Sequence, residues 1–204
     1  MTLTINQFAS DWRYGMFDML AKVINGELPH MNADEIHRKM LDLVLGIHSN
    51  LKLSDVERNK LNTVWKRLKA WPDAPLAIEK LRIRYTVVPL TVLSWSIGVN
   101  CSKHNRISWD GLLSCEFLRQ HKPDSGAYIH ASELFLDTDP SEIMMCAAHT
   151  RDLKSAMNAG FKSAFIYRAG EKSLETMTEE PTVPLNTFDI SATDFTDLTN
   201  QLLP

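Results

Sequence analysis

The chain is predicted to be an α/β protein in which helices come first and a mostly parallel, Rossmann-like sheet follows. Three observations carry this. The apolar spacing is helical from about residue 7 to 83, the pattern breaks at Trp71-Pro72-Asp73-Ala74-Pro75, and from residue 84 onward short apolar runs alternate with helical windows. Such a βαβ rhythm calls for a parallel sheet with helices on both faces.

In the first part, Asn32 and Glu35 read as a helix cap and its partner ahead of Ile36, Met40, Leu43, Val44 and Ile47 on one face. Ser54-Asp-Val-Glu57 reads as a capping box before Leu61, Val64, Trp65 and Leu68. Asn25-Gly26 and Leu28-Pro29 end the helix that precedes them. In the second part, strands are expected at 84–92, 112–117, 142–148 and 162–167, with helices near 95–105, 124–136 and 150–159. Residues 171–186 read as a loop and 191–202 as a short closing helix.

Composition removes several classes of function. With 44% hydrophobic residues, 23% charged residues and a net charge of -3, the chain is neither disordered nor globally basic, so neither nucleic acid nor membrane is an expected partner. No apolar run approaches the roughly 18 residues of a membrane helix, and the first seven residues lack the pattern of a signal peptide, which suggests a cytoplasmic protein. Cys101, Cys115 and Cys146 form no CxxC pair, and no GxGxxG or GxxxxGK[ST] string occurs, so no thiolate metal site and no cofactor are expected. His30 and His37 stand at no metal-ligand spacing. What remains is a small or local partner.

Parallel sheets place ligands at the carboxyl ends of their strands. That directs attention to Thr91–Ser94, His121–Asp124 and His149–Asp152. Each group has a plainer reading as well: Lys122 as a solvated lysine, Asp152 as a first-turn carboxylate, His149 as a core histidine, Tyr128 and Trp12 as packing.

At these positions the chain resembles a known family. Leu90-Thr91, Lys122-Pro123-Asp124 with Tyr128, and Met144-Met-Cys-Ala-Ala-His149-Thr-Arg-Asp152-Leu followed by Ala156-Met-Asn-Ala-Gly160 are similar to motifs two, three and four of the haloacid dehalogenase superfamily, in its type II 2-haloacid dehalogenase branch. Phe8-Ala-Ser-Asp-Trp12-Arg13, Trp71-Pro72-Asp73, Ile107-Ser-Trp109-Asp110 and Phe188-Asp-Ile-Ser-Ala-Thr-Asp194 resemble stretches of that branch in the same order. The resemblance implies a helical cap over residues 8–75, an α/β core over 76–204, an active site between them and a homodimer.

It also implies a reaction. An aspartate on the central first strand displaces halide to form an ester, which water then hydrolyses. Thr91, Lys122, Tyr128 and Asp152 match the residues that support that carboxylate, while Val92 stands where an asparagine is usual and Thr150 follows His149 where Asn is common. The Asp-x-x-Gly-Thr string that opens the family does not occur in these residues. Either Phe8–Arg13 starts the cap and the first strand is absent, an alignment that needs no gap, or Leu3–Ser10 is a degraded first motif with Asn6 in place of the aspartate. Both readings remove the nucleophile, and Thr2–Ile5, within a possible patching strand over 1–6, alternates as a strand would. The expected function is therefore acid–base or positional catalysis on a small organic substrate, of isomerase, lyase or cyclase type. The candidate catalytic residues are Lys122, His149 and Asp152, and the candidate substrate-binding residues are Thr91, Tyr128, Trp12, Arg13, Tyr14 and Asn6. No Mg²⁺ site is expected, because Ala148-His149-Thr150 offers no second acid. A hydrolytic 2-haloacid dehalogenase represented by an N-terminally truncated chain and a non-catalytic binding relative stand beside this as alternatives.

Overall fold

A computed structural model of the chain describes residues 4–48, 51–118, 120–173 and 178–203. The first helix, α1 (Ile5–Ile24), begins where extended Thr4 accepts the Gln7 N–H at 3.1 Å, and it ends at Asn25 and the left-handed Gly26 (φ +75°). Helix α2 (Ala33–Ile47) carries the expected Asn32/Glu35 capping box, and α3 (Asp55–Asn62) the expected Ser54/Glu57 box. A 3₁₀ turn over Thr63–Arg67 continues α3 and brings Trp65 against Trp12 and His37. Helices α1 and α2 pack through Met16, Met19, Leu20, Val23 and Ile36. Gly15 lies directly against the Met40 side chain, where a Cβ would stand 2.5 Å from its sulfur.

After Trp71-Pro72, α4 (Ala74–Leu81) packs on the last helix, and its Leu81 joins Ala164, Ile166, Ala192 and Leu198 in the core. Then follow β1 (Leu90–Thr91), α5 (Trp95–Asn105), β2 (Leu113–Ser114), α6 (Cys115–Leu118) and α7 (Ser125–His130), which runs on into a π-turn over Ala131–Leu136. The chain closes with β3 (Met144–Ala147), α8 (Thr150–Asn158), β4 (Lys162–Ile166), β5 (Ile190–Ala192) and α9 (Phe195–Leu202). Among the described residues, no helix is long and apolar enough to cross a membrane.

All strand pairs are parallel, as the βαβ rhythm predicts, but the single expected sheet is two sheets. β1 pairs with β2, Leu90 opposite Leu113 and Thr91 opposite Ser114, while β3, β4 and β5 form a second sheet in that order. No ladder joins β1 to β3 among the described strands. The consequence is visible in burial. Ser163–Ile166 of β4 is fully buried, whereas Met144–Ala147 of β3 and both residues of β1 are only half-buried, unusual for parallel strands. The two sheets still share an apolar floor: Leu90 and Met145 both pack against Tyr128, Ala156 and Phe161.

This split bears on the shortness of β1, and other segments depart from the sequence expectation as well. A strand with one neighbour keeps only the ladder that neighbour supplies. Residues 84–89 do not form a ladder of their own; Val87 bonds to a loop residue, its N–H donating to Asp110 Oδ2 at 2.8 Å and its carbonyl accepting the Asp110 N–H at 3.0 Å. Residues 115–117, expected as strand, turn into α6. The closing segment expected as helix from 191 instead begins with β5, and α9 starts at Phe195 behind an Asp194 cap. The patching strand is not made by its described part, since Thr4 caps α1 and Ile5 and Asn6 lie in its first turn; residues 1–3 lie outside the described residues.

Candidate active site

The motif-like residues gather at the N-terminus of α8. Asp152 is the third residue of that helix, where a carboxylate is favoured by the unpaired N–H groups and the helix dipole. Lys122, in the loop after α6, places Nζ 2.7 Å from Asp152 Oδ2, with the two side chains 15% and 21% exposed. Tyr128, fully buried on α7, donates its hydroxyl to Asp152 Oδ1 and packs edge-on against Phe161 with ring centroids 6.0 Å apart. Burial, and then the charge of Asp152, push the Tyr128 phenol above its ordinary value, so it stays a donor. The thiol of Cys115 beside this group is likewise pushed up by burial. Lys122, Tyr128 and Asp152 thus form one closed, charge-balanced network, and both oxygens of Asp152 are engaged in it.

His149 is the N-cap residue of α8 but makes no side-chain cap. Its Nε2 lies 3.3 Å from Glu171 Oε2, and Arg13 Nη2, arriving from α1, lies 3.5 Å from the same oxygen. The two facing atoms of His149 and Glu171 are buried and make no hydrogen bond, so this is a close polar contact rather than a formed bond. The His149 ring, with Arg13 in support, outweighs burial and holds the Glu171 carboxyl below the usual range. Sequence reasoning missed Glu171, because it sits in a stretch read as loop; its only signal was its position just after β4. Thr150, the next residue along α8, is buried: it donates to the Glu180 carboxylate and accepts from the Thr182 N–H at 3.2 Å, strapping the 180–182 segment onto the helix start.

The remaining candidates separate. Thr91 ends β1, and its hydroxyl accepts the Leu93 N–H at 3.0 Å in a local turn. Trp12 is core: it is 4% exposed, donates Nε1–H to His37 O at 2.8 Å and packs among Leu41, Val44 and Leu45. Its size and its position on the inner face of α1 make it packing rather than a substrate contact. Asn6 is exposed in the first turn of α1, so neither it nor Ser10 forms a strand-borne motif at the site. Tyr14 is half-buried, with the Arg13 guanidinium 5.8 Å from its ring centroid.

Beside the Lys122 network, a cavity of about 370 Å³ opens between α1, the 30–33 turn and the carboxyl ends of β1 and β2. Its wall includes Leu20, Met31 and Val92 on the apolar side and His30, Glu116 and His121 on the polar side. Burial, and secondarily the nearby His30, lower the proton affinity of His121, whose buried Nδ1 has no partner among the described residues. Glu116 is fixed by the Trp95 N–H at 2.8 Å. Asn32 adds to the polar side, so apolar and polar groups line the space in nearly equal measure. No group of three or more His, Cys, Asp or Glu side chains among the described residues is arranged to hold a metal ion.

Comparison with known proteins agrees with this layout. No family model matches the chain. The (S)-2-haloacid dehalogenase 4A of Burkholderia cepacia is 30% identical over 119 residues, which is 55% of this chain and only about half (50%) of that relative. Two crystal structures, an L-2-haloacid dehalogenase and a defluorinating L-2-haloacid dehalogenase, are each 30% identical, with TM-scores of 0.87 and 0.86; each match covers 99% of this chain, and 85% and 83% of theirs. The L-2-haloacid dehalogenase of Xanthobacter autotrophicus, 18% identical with a TM-score of 0.79, matches 96% of this chain and 85% of its own length and shares the fold. With an α/β architecture of parallel strands, the Lys122–Asp152–Tyr128 network at their carboxyl ends and this likeness across nearly the whole chain, the protein belongs to the L-2-haloacid dehalogenase family of the haloacid dehalogenase superfamily.

Proposed function

We propose that this chain acts on a small organic acid by proton transfer and electrostatic stabilisation, without an aspartyl ester. The substrate class comes from the relatives, which are named for 2-haloacids. The observation that carries the reading is the closed Lys122–Asp152–Tyr128 network. Asp152 spends both oxygens on partners, so it is a charge-balancing group that holds Lys122 in place. In this reading Lys122 stabilises negative charge on the substrate, Asp152 and Tyr128 hold Lys122 in place, His149 moves protons, and Thr91 lines the strand end. In the same reading the helical segment 8–75 caps the core formed by 76–204, and the substrate reaches Lys122 through the 370 Å³ space, whose wall at Cys115 adjoins that lysine.

The test uses the purified chain with a panel of 2-halo and 2-hydroxy carboxylates in D₂O, followed by proton NMR for α-proton exchange or rearrangement and by ion chromatography for halide. The expected outcome is exchange or rearrangement without halide, reduced roughly 10²–10⁴-fold by Lys122→Ala or Asp152→Ala. Halide release together with an ester-linked protein adduct by mass spectrometry overturns the reading. That result would favour the second one, hydrolytic dehalogenation, which is supported by the 30% identity to two dehalogenases along 99% of the chain.

A further inference from the structure

Three side chains far apart in sequence meet at one point: Arg13 from α1, His149 at the cap of α8 and Glu171 after β4. We propose that Glu171 is the positioning carboxylate of His149, and that the two form the acid–base dyad of the site, with Arg13 tying the helical segment to it. This rests on the acid–base reading above and deepens it by naming the base and its orienting group.

The argument starts from donor and acceptor chemistry. An ionised carboxylate only accepts, so in the proposed dyad the ring nitrogen facing Glu171 at 3.3 Å, His149 Nε2, is the N–H, and Nδ1 keeps the lone pair. Among the described residues no partner is recorded for Nδ1, while Nε2 and Glu171 Oε2 are both buried against each other. A base oriented from behind by a carboxylate is the general pattern of activated acid–base pairs. The contact at 3.3 Å without a formed hydrogen bond also fits, since catalytic hydrogen bonds are commonly loose before substrate binds and tighten afterwards. Glu171 is held in turn by its backbone: its N–H donates to Arg168 O at 3.1 Å and its carbonyl accepts the Glu180 N–H at 3.1 Å, so the carboxylate is presented by an anchored segment. Asp152 lies three residues on, one turn of the same helix, and this places the dyad and the Lys122 network side by side.

The step this supports is a simple proton transfer. His149 Nδ1 takes the α-proton of a small 2-substituted carboxylate, the electron pair of the broken C–H bond stays on the substrate as an enolate, and Lys122 faces that charge. The imidazolium formed is balanced by Glu171, and return of the proton to the same or another atom of the substrate closes the cycle with no oxidant or reductant.

The experiment has a spectral arm and a turnover arm, both on the full chain. Long-range proton–nitrogen spectra of ¹⁵N-histidine protein at neutral pH, with His149 assigned from His149→Gln, should show the Nε2–H tautomer. Glu171→Ala should shift its ring nitrogens, and His149→Gln should raise the Glu171 carboxyl titration toward the ordinary range. In turnover, Glu171→Gln should lower kcat for α-proton exchange about 10- to 100-fold with little change in KM, and Glu171→Asp should recover part of the loss. An Nδ1–H tautomer, ring nitrogens unmoved in Glu171→Ala, or full exchange in Glu171→Gln would overturn the dyad. If the parent exchanges no proton while the spectral results hold, the acid–base reading of the site fails and the Glu171–His149 pairing stands.

Discussion

The ion pair between Arg168 and Asp73 offers the most direct test of how the elements are joined. The side chains are 7% and 15% exposed, and the guanidinium donates to both carboxylate oxygens, Nη1 to Oδ1 at 3.0 Å and Nη2 to Oδ2 at 2.8 Å. Asp73 Oδ2 also accepts the Phe195 N–H at 2.8 Å, and the guanidinium lies 5.0 Å from the Trp71 ring and 5.2 Å from the Phe195 ring. One pair thus joins the start of α4, the end of β4 and the start of α9. Asp73→Ala leaves a buried guanidinium without its charge partner and an N–H without its acceptor. Breaking a buried, hydrogen-bonded pair from one side costs about 3–5 kcal/mol. With a urea m-value of about 2 kcal/mol per M, the unfolding midpoint should fall by about 1.5–2.5 M. Arg168→Met added to Asp73→Ala should recover part of that loss, because no buried charge remains. Burial pushes the Asp73 carboxyl up, but Arg168 and the Phe195 N–H outweigh it and its folded pKa lies below the usual 3.8. The contribution is therefore complete above about pH 4 and is lost as the pH falls through the lower folded value. A midpoint change under about 0.5 M for Asp73→Ala, or a double variant no more stable than the single one, would refute the reasoning.

Further expectations concern the interior. Tyr128→Phe removes the donor to Asp152 Oδ1 and should cost about 1–3 kcal/mol at pH 7 by urea unfolding, with the fold kept by circular dichroism. His37, 0% exposed and stacked on Trp65 at 4.2 Å, has its pKa lowered by burial to about 4, so the folded state binds fewer protons than the unfolded chain between about 4 and 6.5. Its contribution is full above pH 6.5 and is lost as the pH falls toward 4, about 2 kcal/mol of it by pH 5. Comparing the pH 7 to pH 5 loss of stability in His37→Gln with that of the parent checks this: the variant should lose less. The homodimer implied by the family resemblance is read by light scattering.

Much of this protein is legible without coordinates. The two capping boxes, the Asn25-Gly26 stop and the helices of 95–105 and 150–158 follow from side-chain chemistry within a few residues, which is local information. Lys122, Tyr128 and Asp152 were legible too, because a motif keeps residue types at fixed spacing and the helix start explains the carboxylate. Trp12 was open between packing and substrate contact because an aromatic within a helix looks the same in sequence whether it turns inward or outward; the packing of α2 and Trp65 around it makes it core. The length of β1 was misread for a related reason. The Val-Val-Pro-Leu-Thr run has strand propensity, but a ladder exists only where a neighbour supplies it, and the side of β1 away from β2 has no ladder among the described strands.

Determined by the sequence itself, then, are the helical and βαβ textures, the caps and the motif residues, all set by interactions between near neighbours. Decided only in the tertiary structure are the split of the strands into two sheets and the meeting of Arg13, His149 and Glu171. The physical reason is distance along the chain: Arg13 and His149 stand 136 positions apart. No local pattern encodes such a contact, because it depends on the free energy of packing whole elements against one another.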